Sequence, residues 1–349
     1  MKSQFVIIEK IIIFLTIFQL FGCRGNLSPD APTELHLDQQ YDLNMTRLHK
    51  LSQVTGVRLF WWNVAWGSFN QNSDLDHNLI ELTNSNARPD LMILGEYKDM
   101  ILSQHTHNEL KRHYPHQYFM SYSPTDIVGV KVFSTRALTY HGIRNIPWYP
   151  INETDSSKQQ AYYNHWKTAA ASEARFWDRS VGLFSFSHGG QTYTLAPVHL
   201  LEPWAALVSS EGRTDLIKSF FNDKLNPLAN QIGHLRRIIK NHAGGMQNVL
   251  MIGDFNIPSS LYGMTPDIYK NLSQSMTEGF FGNPDTFPAE SARHKVHGFL
   301  KKLSIKIDHA LMGSSLDRIG GAAIHMRGSD HYPIYVVVAP KKSGFWGWW

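Results

Sequence analysis

Four consecutive apolar residues, Val249, Leu250, Met251 and Ile252, run straight into the turn Gly253-Asp254-Phe255-Asn256. A continuous apolar run this short fits a fully buried strand and places the segment inside a layered fold. Asp254 and Asn256 are two apart, so in extended chain they point the same way while Phe255 turns back into the protein. An acid and an amide aimed together from a strand end suit holding a water or a metal beside a reacting phosphorus or carbonyl. The same residues also suit an ordinary polar turn, so the rest of the chain has to separate the two readings.

Other apolar segments end in a similar way. Val57–Val64 carries Asn63 at its end, Leu91–Leu94 is followed by Gly95-Glu96, and Thr192–Val198 delivers His199. Ile305–Leu311 carries Asp308 and His309, and Asp330-His331 stands just before the apolar strand Ile334–Val338. Further strands are expected at Tyr118–Tyr122, Ile127–Ser134, Val181–Ser187 and, at an edge, Ala322–Met326. Helical spacing is found at Asp74–Ser85, Met100–Arg112, Asp215–Asn241 (broken or kinked at Pro227) and Pro266–Gln274. The stretch from Arg144 to Ser180 is less periodic and reads as loops over a face. Loops fixed by a layered scaffold commonly carry function, so the simplest arrangement gathers these strand-end residues in one cleft.

With 42% apolar and 18% charged residues, the 349-residue chain is globular rather than disordered and can bury a substantial core. Its N-terminus differs from the rest. Residues 1–22 combine Lys2 and Lys10 with the apolar run Ile11–Gly22, which has the length of a signal-peptide core and is too short to span a bilayer comfortably. Leu20-Phe21-Gly22-Cys23 looks like a bacterial lipobox, and Cys23 is the single cysteine, so there is no disulfide framework. The reading is a lipidated Cys23 on an exported, membrane-anchored envelope lipoprotein, with an uncleaved N-terminal anchor as the alternative. Residues 23–54 then form a tether, with a short helix around Asp42–Leu51, and 55–340 the folded domain.

Residues 341–349 hold two lysines beside Phe345 and three tryptophans. Such a tail fits a membrane headgroup boundary and equally a segment folded onto its own domain. The formal charge of +4 is compatible with anionic substrates without requiring them.

The order W-N-V (Asn63), L-G-E (Glu96), P-V-H-L (His199), G-D-F-N (Asp254, Asn256), I-D-H (Asp308) and S-D-H-Y-P (Asp330, His331) resembles the endonuclease/exonuclease/phosphatase superfamily. The likeness spans about residues 55–339. G-D-F-N-I-P-S-S with the later T-F-P (Thr286–Pro288) is similar to a largely uncharacterised, membrane-associated bacterial branch. The resemblance implies an α/β fold, a four-layer sandwich of two packed mixed sheets with helices outside, as in DNase I. It also implies a divalent-metal-dependent phosphoester hydrolase with Mg²⁺ as cofactor and Mn²⁺ as a substitute. By this likeness Glu96 is the main metal ligand, with Asn63 in or beside the metal's shell and Asp330 completing the site. Asp254 orients or deprotonates the attacking water, and Asn256 holds that water or a phosphate oxygen. His331 contacts the scissile phosphate and shares acid/base work with His199, while Asp308 fixes the tautomer and charge of His331. Strand alternation lets only one of Asp308 and His309 face the site, and the family pattern selects Asp308. Arg175 and Arg179 precede a strand where relatives place a phosphate-contacting arginine.

The implied substrate is a phosphoester, from nucleic acid or from a phospholipid or inositol-phosphate headgroup, and no obligate protein partner is inferred. A nuclease favours clustered basic residues, yet Arg236-Arg237, Lys301-Lys302 and Lys341-Lys342 are short and scattered. The expected membrane tether and Trp-rich tail favour a lipid headgroup. A binding lipoprotein without activity would not need the complete set of acids and histidines.

Overall fold

The computed structural model describes residues 42, 45–67, 73–122, 127–169, 179–200, 227–260, 265, 267–280, 284–287, 289 and 305–341. The expected signal segment, Cys23, most of the tether, Arg175 and all of the tail beyond Lys341 lie outside them. All described residues belong to one unit that runs from Glu34 to Trp349. Among them, no helix is long and apolar enough to cross a membrane.

Among the described residues, twelve strands make two six-stranded mixed sheets. The first holds β1 (Val57–Asn63), β2 (Leu91–Tyr97), β3 (His116–Ser121), β4 (Gly129–Ser134), β11 (Leu316–Ala323) and β12 (Ile334–Pro340), in the order β11-β12-β1-β2-β4-β3. The second holds β5 (Thr139–Ile146), β6 (Arg179–His188), β7 (Gln191–His199), β8 (Val249–Asp254), β9 (Met276–Glu278) and β10 (Asp308–Gly313), in the order β5-β6-β7-β8-β10-β9. Each sheet has one parallel pair at its middle, β1 with β2 and β7 with β8, and the other pairings are antiparallel.

Period-two alternation explains why the strands read as continuous apolar runs. Leu59 and Trp61 of β1 meet Leu250 and Ile252 of β8 in the core between the sheets. Phe60 and Trp62 turn outward to the helix Asp74–Asn84, and Val249 and Met251 turn outward to the helix Pro227–Ala243. Both faces are therefore covered, giving helix, sheet, sheet, helix. The residues from 45 to 52 are helical and sink Met45 and Leu48 into the outer layer of the first sheet. Replacing Leu250 with Ala, fully buried between the sheets, is expected to cost about 3 kcal/mol in a urea unfolding titration.

Several boundaries differ from the sequence reading. The stretch expected as loops from Arg144 to Ser180 contains the end of β5 and the helix Ser156–Ala169. β5 escaped notice because it is mostly exposed and mixes Gly142, His141 and Arg144 into its run, so it shows no alternation. The strand expected from Ile305 begins at Asp308, Ile305 making only an isolated bridge to Phe287. The expected edge strand Ala322–Met326 is β11 and ends at Ala323. Of the expected helix Asp215–Asn241, the part before Pro227 lies outside the described residues, and the described part is the helix Pro227–Ala243.

Candidate active site

The site forms where one end of each sheet meets the other. β1 and β2 bring Asn63 and Glu96, β7 and β8 bring His199 and Asp254, the start of β10 brings Asp308, and the turn before β12 brings His331. Register sets these neighbours: Asn63 lies opposite Gly95, His199 opposite Asp254, and Asp254 opposite Asp308.

Two glycines make this approach possible. A Cβ on Gly95 would run into the ring of Trp61, and one on Gly253 would overlap the Val198 carbonyl. Each glycine immediately precedes a site acid. Glu96 sits at the break in register between β2 and β4 with a left-handed φ of 50°, and Asn256 has a φ of 54°. Such conformations are costly for these residues and concentrate at sites that need a side chain held in one direction.

Asn63 joins the acids. Its Nδ2 donates to Glu96 Oε1 (3.2 Å) and to Asp254 Oδ2 (3.0 Å), while its Oδ1 accepts from the Ala65 amide (3.1 Å). Asp254 Oδ1 accepts the Asn256 amide at 2.8 Å, and Asn256 Nδ2 donates to the Leu200 carbonyl at 3.1 Å. Asp308 is fully buried. Its Oδ1 accepts from Trp61 Nε1 across the two sheets (2.8 Å), and its Oδ2 pairs with His331 Nδ1 (2.8 Å). The Thr286 hydroxyl receives the backbone amides of Ile307 and Asp308, both at 3.1 Å. Ser329 Oγ bonds the Asn63 carbonyl at 2.5 Å and accepts the His331 amide at 3.2 Å, so the S-D-H segment is fastened to β1.

The two histidines are pushed in opposite directions. Burial, helped by Arg179 and His331, holds the His199 pKa well below its ordinary value. Burial acts the same way on His331, but Asp308 and Asp254 override it and lift the pKa well above the ordinary value. His331 Nε2 lies 3.7 Å from Asp254 Oδ2, and His199 Nε2 lies 3.5 Å from Glu96 Oε1 and 3.7 Å from Asp254 Oδ2. Asp254 is itself raised well above the carboxylate range, by burial and then by Asp308, against the pull of His331 and its hydrogen bonds.

Tyr122 is a site residue that the sequence reading missed. Its hydroxyl accepts the Glu96 amide at 2.8 Å and lies 2.6 Å from His199 Nδ1. With the ring kept neutral and Nε2 facing the carboxylates, the His199 proton sits on Nε2, so the Tyr122 hydroxyl donates to Nδ1. Its one signal in the sequence is that it closes the expected strand Tyr118–Tyr122, where a tyrosine reads equally well as core. Tyr122→Phe is expected to lower activity about tenfold or more, since a buried amide and a ring nitrogen lose their shared partner. The Glu96→Ala background should show no further loss.

Of the remaining expected residues, Arg179 is buried behind the site. Its guanidinium lies 5.1 Å from the Tyr122 ring centroid, and its Nε donates to the Leu200 carbonyl at 3.4 Å. Asp330 is half-buried, with its carboxylate 3.3 Å from Ser329 Oγ, and burial raises its pKa.

Among the described residues, Asp254, Asp308 and His331 offer ligand atoms within 4.8 Å of one another and could hold a metal ion. The hydrogen bonds refine that assignment. Asp308 already serves Trp61 and His331, whereas Glu96 and Asp254 face each other across a single amide group. Carboxylates brought so close, with Asp308 behind them, are unfavourable to bury without a cation. An oxygen-preferring divalent ion fits that donor set.

Solved structures share this fold. An endonuclease/exonuclease/phosphatase from Beutenbergia cavernae is 15% identical and covers 82% of this chain and 72% of its own, with a TM-score of 0.52. One from Bacteroides vulgatus is 12% identical over 82% of this chain and 100% of its own, with a TM-score of 0.52. The catalytic domain of human Nocturnin, with a bound sulfate anion, is 14% identical over 82% of this chain and 94% of its own, with a TM-score of 0.51. No family model and no curated protein matches the sequence. The chain therefore has the DNase I-like, four-layer fold of the endonuclease/exonuclease/phosphatase proteins, as its strand-end motifs led us to expect.

Proposed function

We propose that this protein is a divalent-metal-dependent phosphoester hydrolase that cleaves phosphodiesters. The observation that carries this reading is the convergence of Glu96, Asn63 and Asp254 with a neutral His199 on one side and the Asp308–His331 pair on the other. Two imidazoles with pKa values driven apart give the site one charged donor, His331, and one neutral donor, His199.

Glu96 and Asp254 would hold the ion, with Asn63 beside it and Mg²⁺ favoured by the all-oxygen carboxylate set. When bound, the ion would neutralise charge developing on the phosphoryl oxygens. The chain's own groups supply the rest. Asp254 orients the attacking water and accepts its proton, and Asn256 holds its position with the carboxamide fixed by Leu200. His331, kept protonated by Asp308, presents Nε2–H to a phosphate oxygen. The Nε2–H of His199, fixed by Tyr122, points to the same region and suits the leaving oxygen.

A second reading, a phospholipid or inositol-phosphate headgroup, draws on the rim. Tyr97 pairs with Gly129, so Met100 and Ile127 both lie just past the same sheet end as Glu96, and they are 86% and 64% exposed. Arg236 and Arg237 are committed to the carbonyls of Leu272, Gln274 and Ile151 rather than to an open groove. The membrane tether through Cys23 remains part of this proposal.

The test is a substrate panel of plasmid DNA, RNA, sphingomyelin, inositol phosphates and a generic diester, with Mg²⁺ or Mn²⁺, beside Glu96→Ala. Cleavage of at least one substrate by the native protein and by none of the controls is expected. A panel with no Glu96-dependent hydrolysis would overturn the proposal.

A further inference from the structure

Behind the site, on the opposite face of β10, lies a second group of charged residues that the proposed chemistry does not use. Glu278 of β9 accepts from Lys306 Nζ (2.9 Å) and from the Tyr269 hydroxyl (2.9 Å) at Oε2, and from the Ala310 amide (3.0 Å) at Oε1. His309 Nδ1 meets the same Oε2 at 2.9 Å. Burial alone would raise the Glu278 pKa, but His309 and Lys306 hold it at about 2. Lys306 is itself buried, with Nζ 3.8 Å from the Phe280 ring centroid.

This network reaches the site through one bond. A carbonyl can only accept, so His309 Nε2–H donates to the Ile257 carbonyl, at 2.7 Å. Ile257 follows Asn256, the residue held at a left-handed φ. The neighbouring Phe255 meets the His309 ring edge to face, with centroids 5.8 Å apart. Two further bonds, Phe255 N–H to the Ile307 carbonyl (3.1 Å) and Ser259 N–H to the Lys306 carbonyl (3.3 Å), join the turn to the chain on the N-terminal side of β10. Those two bonds bracket the turn and leave the Ile257–Pro258 peptide between them to be fixed by His309. Glu278 and Lys306 in turn fix the ring of His309, since a fully buried imidazole with two directed partners has a single orientation.

We propose that Glu278, Lys306 and His309 form a positioning device that clamps the Ile257 carbonyl and so holds Asp254 and Asn256 in working geometry. Its effect on turnover rests on the proposed phosphoesterase reading, while its effect on the turn does not. The experiment uses the full chain and three variants: His309→Phe, which keeps a ring but neither hydrogen bond, His309→Gln, which keeps a donor, and Glu278→Gln, which keeps the shape. Hydrogen exchange is followed by mass spectrometry, together with kcat and KM on bis(4-nitrophenyl) phosphate with Mg²⁺.

In His309→Phe, exchange across residues 253–259 should accelerate about tenfold or more, with peptides from β1 and β2 unchanged. The kcat should fall about 10- to 100-fold with KM nearly constant, and His309→Gln should recover part of both. Glu278→Gln should show the same local pattern in milder form. Unchanged exchange at 253–259 in His309→Phe would overturn the proposal. So would an equal loss of protection across all peptides in the three variants, which would assign the network to general stability. If the native protein leaves the diester intact, the activity reading fails, and the exchange data still decide the clamp.

Discussion

Asp254→Asn is expected to lower kcat by about 10³-fold on any phosphodiester the protein cleaves, with little change in thermal stability. The asparagine keeps the shape, so Oδ1 can still receive the Asn256 amide, the contact that shapes the turn. What it loses is the charge that Asn63 Nδ2 and His331 address at Oδ2 and that would help hold the ion. Stability should move only modestly, because losing the charge relieves its burial and the repulsion from Asp308 while the new amide N–H faces the Asn63 donor. Removing that charge relieves a repulsion even as it removes the base. An unfolding midpoint within a few degrees of native, combined with the collapse of kcat, is the expected pair of results. Steady-state kinetics and a thermal melt on the same preparation check both.

The second large effect concerns Asp308→Asn, and its signature is pH. The folded pKa of His331 stands well above the ordinary 6.5 because two carboxylates outweigh burial. A raised histidine contributes stability that is fully present below the unfolded value of about 6.5 and is lost as pH rises through the folded value. Activity that needs the protonated ring should fall over that same upper range. In Asp308→Asn only Asp254 and, more weakly, Asp330 are left to oppose burial, so the alkaline limb should move to lower pH. At neutral pH kcat should drop by about 10²-fold. Because the change leaves a buried imidazole without its partner, it should also cost about 3 kcal/mol, lost mainly below the native limb. A pH–kcat profile that keeps its alkaline limb in place would show that the Asp308–His331 pair does not set it.

Much of this site could be read from residues alone because the strands that deliver it are buried on both faces. Val249–Ile252 and Leu91–Leu94 have no exposed face to blur them, and the Gly-Asp and Gly-Glu pairs after them mark the change from core to site. The glycines had a reason the sequence did not reveal, since only the packed strands show that Trp61 and Val198 leave no room for a Cβ. What stayed hidden is what depends on contacts between distant segments. Trp61 reads as core, and its bond to Asp308 links residues far apart in sequence. Tyr122 and Ser329 act through single oxygen atoms whose partners are set by tertiary packing. Strand alternation separates Asp308 from His309: Asp308 faces His331, while His309 faces Glu278 on the other side.

The G-D-F-N turn is thus neither a surface turn nor a self-sufficient motif. It is held from the front by Asn63 and Leu200 and from behind by His309. The claim that these groups serve a metal-dependent hydrolysis is tested most directly by ion dependence. The full chain is stripped with a chelator, and hydrolysis of the best substrate in the panel is followed as Mg²⁺ is returned, beside Glu96→Gln. Loss of activity on stripping, saturable recovery with the ion, and no recovery in Glu96→Gln are the predicted results. Hydrolysis that persists without the ion, or that Glu96→Gln recovers as well as the native protein, would contradict the account.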